Sequence, residues 1–162
     1  MILNGLYFYR VKIFHFEDGF TKFVVFRHCI EYFDRDEIIE VLREWKRVLV
    51  PGGTLRLAVP NFEALMKVYS DSNDLSKILG PLYGKWNIGE DKHIYHKTVY
   101  DLESLTFLLK QIGFEQVREW DWKDIFSNQK DFDDHSQAYY PHMDKEKGLL
   151  ISLNVEATTP KL

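Results

Sequence analysis

Apolar positions along the chain fall into two spacings, and the change from one to the other marks the elements. Phe23 to Phe26 is a short apolar run and Leu55 to Val59 runs apolar again around Arg56, the pattern of buried strands. Between them Ile38, Leu42, Trp45 and Leu49 recur at steps of four, three and four. That spacing gathers them on one side of a helix and leaves Glu40, Arg43, Glu44, Lys46 and Arg47 on the other. Asp34 is placed to cap this helix, and Glu37, three residues on, completes a capping box. Pro51 and Gly52 are expected to end it, since proline lacks the amide donor and glycine accepts the left-handed turn. Phe23 to Asn61 therefore predicts one parallel β-α-β unit, with a polar break at His28-Cys29-Ile30-Glu31 where the first strand stops.

The flanking segments extend the pattern. Upstream, Leu6, Phe8, Val11, Ile13, Phe14 and Phe16 precede Glu17-Asp18-Gly19, and Asp-Gly between two apolar runs signals a hairpin. Leu6 to Phe16 is expected to fold back on Phe20 to Phe26; without such a partner the strand at Phe23 is an open apolar edge. Downstream, Asn61 can cap a helix carrying Phe62, Leu65, Met66 and Tyr69. Ser70 to Thr98, with Gly80, Pro81, Gly84 and Gly89, reads as an excursion over the mouth of the sheet, with helical turns near Leu75 to Leu82. Asp101 begins a helix with Leu105, Leu108, Leu109 and Ile112 inward, and Gly113 ends it. Phe114 to Trp122 is expected to be the third strand. Lys123 to Lys147 is longer than usual connections and is a candidate binding loop. In the last strand Leu149, Ile151, Leu153 and Val155 alternate with Leu150, Ser152, Asn154 and Glu156, which predicts burial on one face. No repeat or linker interrupts this, so residues 1–162 read as a single domain with a hairpin leader over 1–22.

Composition narrows the function classes. The 162 residues are 45% hydrophobic and 28% charged, a globular balance. A net charge of −4 without a Lys/Arg cluster argues against a nucleic-acid surface. One cysteine excludes an internal disulfide. With no signal peptide and no bilayer-length apolar run, the expected setting is a reducing cytoplasm, with no membrane partner. Aromatic residues make up 15%, enough to supply a subunit interface as well as a core.

At Arg47-Val48-Leu49-Val50-Pro51-Gly52-Gly53-Thr54-Leu55 the chain resembles class I S-adenosylmethionine-dependent methyltransferases, above all the methyltransferase type 11 group, which commonly reads R-V-L-K-P-G-G-x-L before strand five. Glu17-Asp18-Gly19-Phe20 and His28-Cys29-Ile30-Glu31-Tyr32-Phe33 are similar to that group's E-D-x-S-F-D and H-x-x-E-H-F signatures. Asp101 to Phe114 and Asp144 to Ala157 resemble its C-terminal half, so the likeness runs from residue 16 to residue 158. It implies an α/β chain with a truncated Rossmann-like sheet, equivalent to strands 4, 5, 7 and 6, with flanking helices; the last strand would lie antiparallel between the second and third. It also implies S-adenosylmethionine as methyl donor. In that family the donor rests on a glycine-rich turn after strand one and beside an acidic residue ending strand two. One β-α-β unit takes about 30 residues or more, so those elements do not fit ahead of Phe23. No G-x-G stands at a strand-to-helix junction either. The expectation is a methyltransferase lacking its N-terminal cofactor-binding half. Two readings follow. The donor shelf comes from another chain or an unusual dimer, or the fold serves as a non-catalytic binding or assembly module.

Candidate chemistry lies mostly at the expected sheet mouth. His28 and Glu31 follow the C-terminal end of a strand, where α/β sheets place ligands, and the resemblance puts them beside the methyl-donor and acceptor pocket. An imidazole there can take the acceptor's proton; the plainer alternative is a histidine bonded to its loop with Glu31 facing solvent. His93 and His96 have a spacing of three, which suits a metal on a helix, but no helix or further ligand accompanies them; they remain candidate substrate contacts or loop packing. Asp134 and His135, within Asp133-Asp134-His135-Ser136, are candidate acceptor contacts or a solvated loop. Asn61 stands where family members often carry Asp and is a further candidate contact. Cys29 reads as a small core residue. The aromatic leader and the open edge predict a homodimer, or a partner chain that completes the sheet.

Overall fold

The computed structural model describes residues 16–89, 91–126 and 136–161. The expected strand over Leu6 to Phe16 lies outside them but for Phe16, its last residue. Gly19, at φ 64°, makes the turn expected at Asp18-Gly19, and β1 (Thr21–Arg27) follows. After a single 3-10 turn over Ile30–Tyr32 comes α1 (Glu37–Val48), then β2 (Leu49–Pro60). The excursion holds α2 (Phe62–Ser72), α3 (Ser76–Tyr83) and a ribbon of β3 (Trp86–Asn87) with β4 (His93–Ile94). The chain continues through α4 (Leu102–Ile112), β5 (Glu115–Glu119) and α5 (Trp122–Phe126). It closes with β6 (Tyr139–Tyr140), β7 (Leu149–Leu150) and β8 (Ser152–Thr158).

The main sheet has the order β1-β2-β8-β5, and β6 and β7 pair as a separate ribbon. β1 and β2 are parallel, with Phe26 opposite Leu57. β8 runs antiparallel between β2 and β5, as the resemblance implied, with Val155 opposite Leu57 and Glu119. Joining the two parallel strands, α1 lies on one face with Ile38, Leu42 and Trp45 buried, and Trp45 stacks on Phe26 at a centroid distance of 3.6 Å. Its start is the expected capping box. Asp34 Oδ1 accepts the Glu37 backbone N–H at 2.8 Å, and Glu37 Oε2 accepts that of Asp34 at 3.3 Å.

Three features differ from expectation. α1 ends at Val48 rather than at Pro51, because the residue before a proline is driven to extended backbone; Leu49 already pairs with Thr21. The third strand is shorter than Phe114 to Trp122, running Glu115–Glu119 before α5 begins at Trp122, and Gln116 at φ 50° marks a break in its register with β8. β8 is buried on both faces rather than one. Leu153, Val155 and Ala157 meet α1 and α4, while Ser152, Asn154 and Glu156 are enclosed on the other side. Arg56 is part of that cover: its guanidinium lies 4.8 Å from the ring centroids of both Phe23 and Trp120 and bonds Glu156 Oε2 at 2.7 Å. Arg118 takes the other oxygen at 2.7 Å. In α2 the inward residues are Ala64, Leu65 and Val68, and Tyr69 is left exposed. No described helix is long and apolar enough to cross a membrane.

Candidate functional site

β1 delivers His28 to the mouth of the sheet in an unusual conformation. Its backbone N–H still donates to Ala58 O at 2.8 Å, but φ is 46°, in the left-handed region that costs a side-chain-bearing residue about 1–2 kcal/mol. The 3-10 turn then tucks Glu31 beneath the imidazole, where the residue is 1% exposed. Among the described residues no donor is aligned for a hydrogen bond with either carboxylate oxygen. Two imidazoles stand beside it instead. His28 Nδ1 lies 3.3 Å from Oε1, and His96 Nε2 lies 3.8 Å from the same atom.

His96 arrives from the excursion, and its position is built by backbone. The Glu31 carbonyl accepts the N–H groups of Lys97 at 2.8 Å and Thr98 at 3.2 Å, which returns the chain to the sheet mouth. The His96 N–H donates to Tyr83 O at 2.7 Å, and Nδ1 stands 3.2 Å from Leu82 O, which can only accept. The ring meets Tyr32 edge to face at 4.6 Å. Gly84, at φ 56°, is needed here because a Cβ would run into the His96 ring.

The charge on Glu31 reaches several neighbours. Burial and then Glu31 push the Tyr32 hydroxyl up to about 12, and the same causes in the same order raise Tyr100. Cys29, buried as expected, is also pushed up by burial and then by Glu31, so its thiol stays protonated. For His96 burial dominates and lowers its pKa, against the pull of Glu31 and the Leu82 carbonyl. His96 is thus neutral at pH 7, with Nδ1–H on Leu82. His28 is the most open of the three, with 28% of its side chain exposed. Beside them a cleft of about 540 Å³ is lined by His96, Tyr83, Leu82, Val99, Lys97 and Arg35.

The structure thus joins three of the residues singled out in the sequence, His28, Glu31 and His96. The other candidates have different surroundings. His93 is exposed in β4, opposite Asn87. Asn61 accepts the Ala64 N–H at 3.3 Å as a helix cap, and its own N–H donates to Ile151 O. Asp134 and His135 lie outside the described residues. Ser152, which sequence reasoning passed over, comes to the site from β8: its Oγ is 3.4 Å from His28 Nε2 and accepts the Ala138 N–H at 3.2 Å. A run of polar residues inside a strand with buried neighbours was the available signal. Among the described residues no group of three or more His, Cys, Asp and Glu is arranged to hold a metal ion.

The described residues do not by themselves fit a nucleoside-type methyl donor. Their positive-φ glycines are Gly19, Gly52, Gly84, Gly89 and Gly113, and none lies in the turn that follows β1 or β2 at the sheet mouth.

The four-stranded mixed sheet with α1 and α4 on one face is a class I methyltransferase-like fold. A family model described as "Methyltransferase domain" matches residues 8–57, the segment that contains β1, His28, Glu31 and α1. Solved structures agree on the fold. A SAM-dependent methyltransferase from Methanosarcina mazei superposes with a TM-score of 0.55 at 19% identity, over 94% of this chain and 66% of that one. A SAM-dependent methyltransferase from Thermotoga maritima, described as a possible histamine N-methyltransferase, gives 0.54 at 16% identity, over 92% and 61%. A Pyrococcus horikoshii protein gives 0.51 at 15%, over 92% and 56%. The chain therefore spans 56–66% of the length of these structures. A search of curated proteins returns no match.

Proposed function

We propose that this chain supplies the acceptor-side chemistry of an S-adenosylmethionine-dependent methyltransferase, with the shelf for the donor lying outside the described residues. The supporting observation is the buried Glu31 carboxylate set between His28 and His96 at the C-terminal end of β1. A sulfonium donor supplies an electrophilic methyl group, and a hydroxyl or amine that receives it must lose a proton. His28, with 28% of its side chain exposed, takes that proton. Glu31 orients the imidazole and offsets the charge it acquires, the role a buried carboxylate plays beside a catalytic histidine. His96 stays neutral and holds the excursion over the site. The lone buried Cys29 suits the reducing compartment in which we place the reaction.

Isothermal titration of S-adenosylmethionine into the protein tests this reading. Saturable heat with a thermal shift supports it. No heat and no shift at millimolar donor would remove it for the chain acting alone. A second reading, a binding or assembly module, is favoured by Tyr83, Trp86 and Tyr95, which are 44–56% exposed on the excursion. Under either reading we propose self-association or a partner that completes the sheet. Sedimentation as a monomer at tens of micromolar would count against self-association.

A further inference from the structure

We propose that the cleft beside His96 binds a small molecule with an anionic end, a carboxylate or a phosphate, and an apolar body. The proposed function enters only in calling that molecule the methyl acceptor; the case for the site rests on the walls of the cleft. Its volume of about 540 Å³ falls within the roughly 300–1,000 Å³ of small-molecule sites. Among the described residues that line it the charged ones are Arg35 and Lys97, and both are cations. The acidic residues around Arg35 in sequence are engaged elsewhere. Asp34 Oδ1 accepts the N–H groups of Asp36 at 3.1 Å and Glu37 at 2.8 Å. Glu37 Oε2 accepts the Asp34 N–H at 3.3 Å and Lys97 Nζ at 3.0 Å, which ties Lys97 to the start of α1.

Arg35 is left over. Its guanidinium makes no hydrogen bond or ion pair with any described residue, although it lies on the wall of a cavity. An arginine side chain keeps its charge at any physiological pH and offers its donors as a planar fork, which matches two oxygens of a carboxylate or phosphate. Leu82, Tyr83 and Val99 give the cleft an apolar side, with Tyr83 56% and Val99 40% exposed. An apolar body laid against them would remove that surface from water. His96 also lines the cleft and stands 3.8 Å from Glu31, so the cleft and the buried carboxylate share one imidazole. A molecule held at its anionic end by Arg35 is thereby placed beside the candidate chemistry.

Proton–nitrogen NMR titration of the full chain, with no methyl donor present, tests the site with four single-ring probes of similar size: benzoate, phenyl phosphate, benzamide and benzylamine. At millimolar concentration benzoate or phenyl phosphate should move the amide signals of Tyr83, Lys97 and Val99, and their relative affinity tells which anion the cleft prefers. Benzamide should bind about tenfold more weakly than the better anion, the worth of one charge-assisted hydrogen bond, and benzylamine more weakly still. Arg35→Gln, which breaks no bond of the described structure, should bring that anion to the level of benzamide and leave benzamide where it was. Arg43→Gln, which removes a cation of α1 that does not line the cleft, should change neither. Benzamide or benzylamine binding as tightly as both anions overturns the proposal. So does the absence of any movement of these signals with either anion, or an Arg35→Gln variant that binds the anion as well as wild type. If that variant does not fold, the four probes on the wild type still decide. Because no methyl donor takes part, a chain that fails to bind S-adenosylmethionine can still pass this test, and one that binds it can still fail.

Discussion

The two faces of the central sheet are built on different principles. Toward α1 and α4 the face is apolar throughout: Phe26, Leu55, Leu57, Leu153 and Val155 meet Trp45, Leu42, Leu105 and Leu109. The other face buries Glu156, Asn154 and Ser152 with Arg56 half-buried over them, and it depends on pairing. Burial is the driving term on the first face and a cost to be offset on the second. His28 reaches the second face through Ser152, so the candidate chemistry shares its environment with the groups that are hardest to bury.

That contrast predicts a graded set of stability changes. Trp45→Ala, which empties the space against Phe26, should lower unfolding free energy by about 3–5 kcal/mol in denaturant titration. A loss under 1 kcal/mol would mean that the apolar face is not the main support. On the polar face Glu156→Ala strands the half-buried Arg56 guanidinium, while the exposed Arg118 falls back on water, and should cost about 2 kcal/mol. Its dependence on pH gives a second check. Burial pushes the Glu156 carboxyl up, but the bonds from Arg56 and Arg118 together outweigh it and hold the group below its ordinary 4.5. The denatured chain then binds the proton more readily, so this stabilisation is complete above pH 4.5 and fades as pH falls through the lower native value. Wild type should lose stability there faster than Glu156→Ala.

Smaller effects sharpen the picture at the site and the surface. Gly84→Ala should cost about 1–2 kcal/mol from its positive φ and should also displace His96, visible as altered ring signals of Tyr32 and His96. Breaking the exposed Glu40–Arg43 pair on α1 should change stability by about 0.5 kcal/mol or less. A larger loss would show that the outer side of α1 is not simply solvated.

The apolar face was the readable one. Ile38, Leu42 and Trp45 announced α1 by spacing alone, and Asp34 with Glu37 announced where it starts. At α4 the capping residue Asp101 and the closing Gly113 were equally plain. The polar face was not readable in the same way. Alternation in Leu149 to Glu156 was taken to mean one exposed side, because nothing local tells that Arg56, Trp120 and the Ser136–Tyr139 segment come to lie over it. The site was legible in part for the same reason. His28 and Glu31 are three residues apart and were found together, whereas His96 and Ser152 join them through a returning excursion and an antiparallel strand. Equal spacing gave no means to prefer His96 over His93. Only the backbone bonds from Lys97 and Thr98 to Glu31 decide between them.

The left-handed backbone at His28 sets two kinds of selection against each other. Glycine would occupy φ 46° with little penalty, so backbone strain alone would favour His28→Gly in a library screened for heat resistance, by about 1 kcal/mol, against the loss of an imidazole from beside the buried Glu31 carboxylate. Under the proposed function, a library screened for methyl transfer should discard the same variant at once. Position 28 is thus a place where a drifting sequence would show whether proton transfer is still being used.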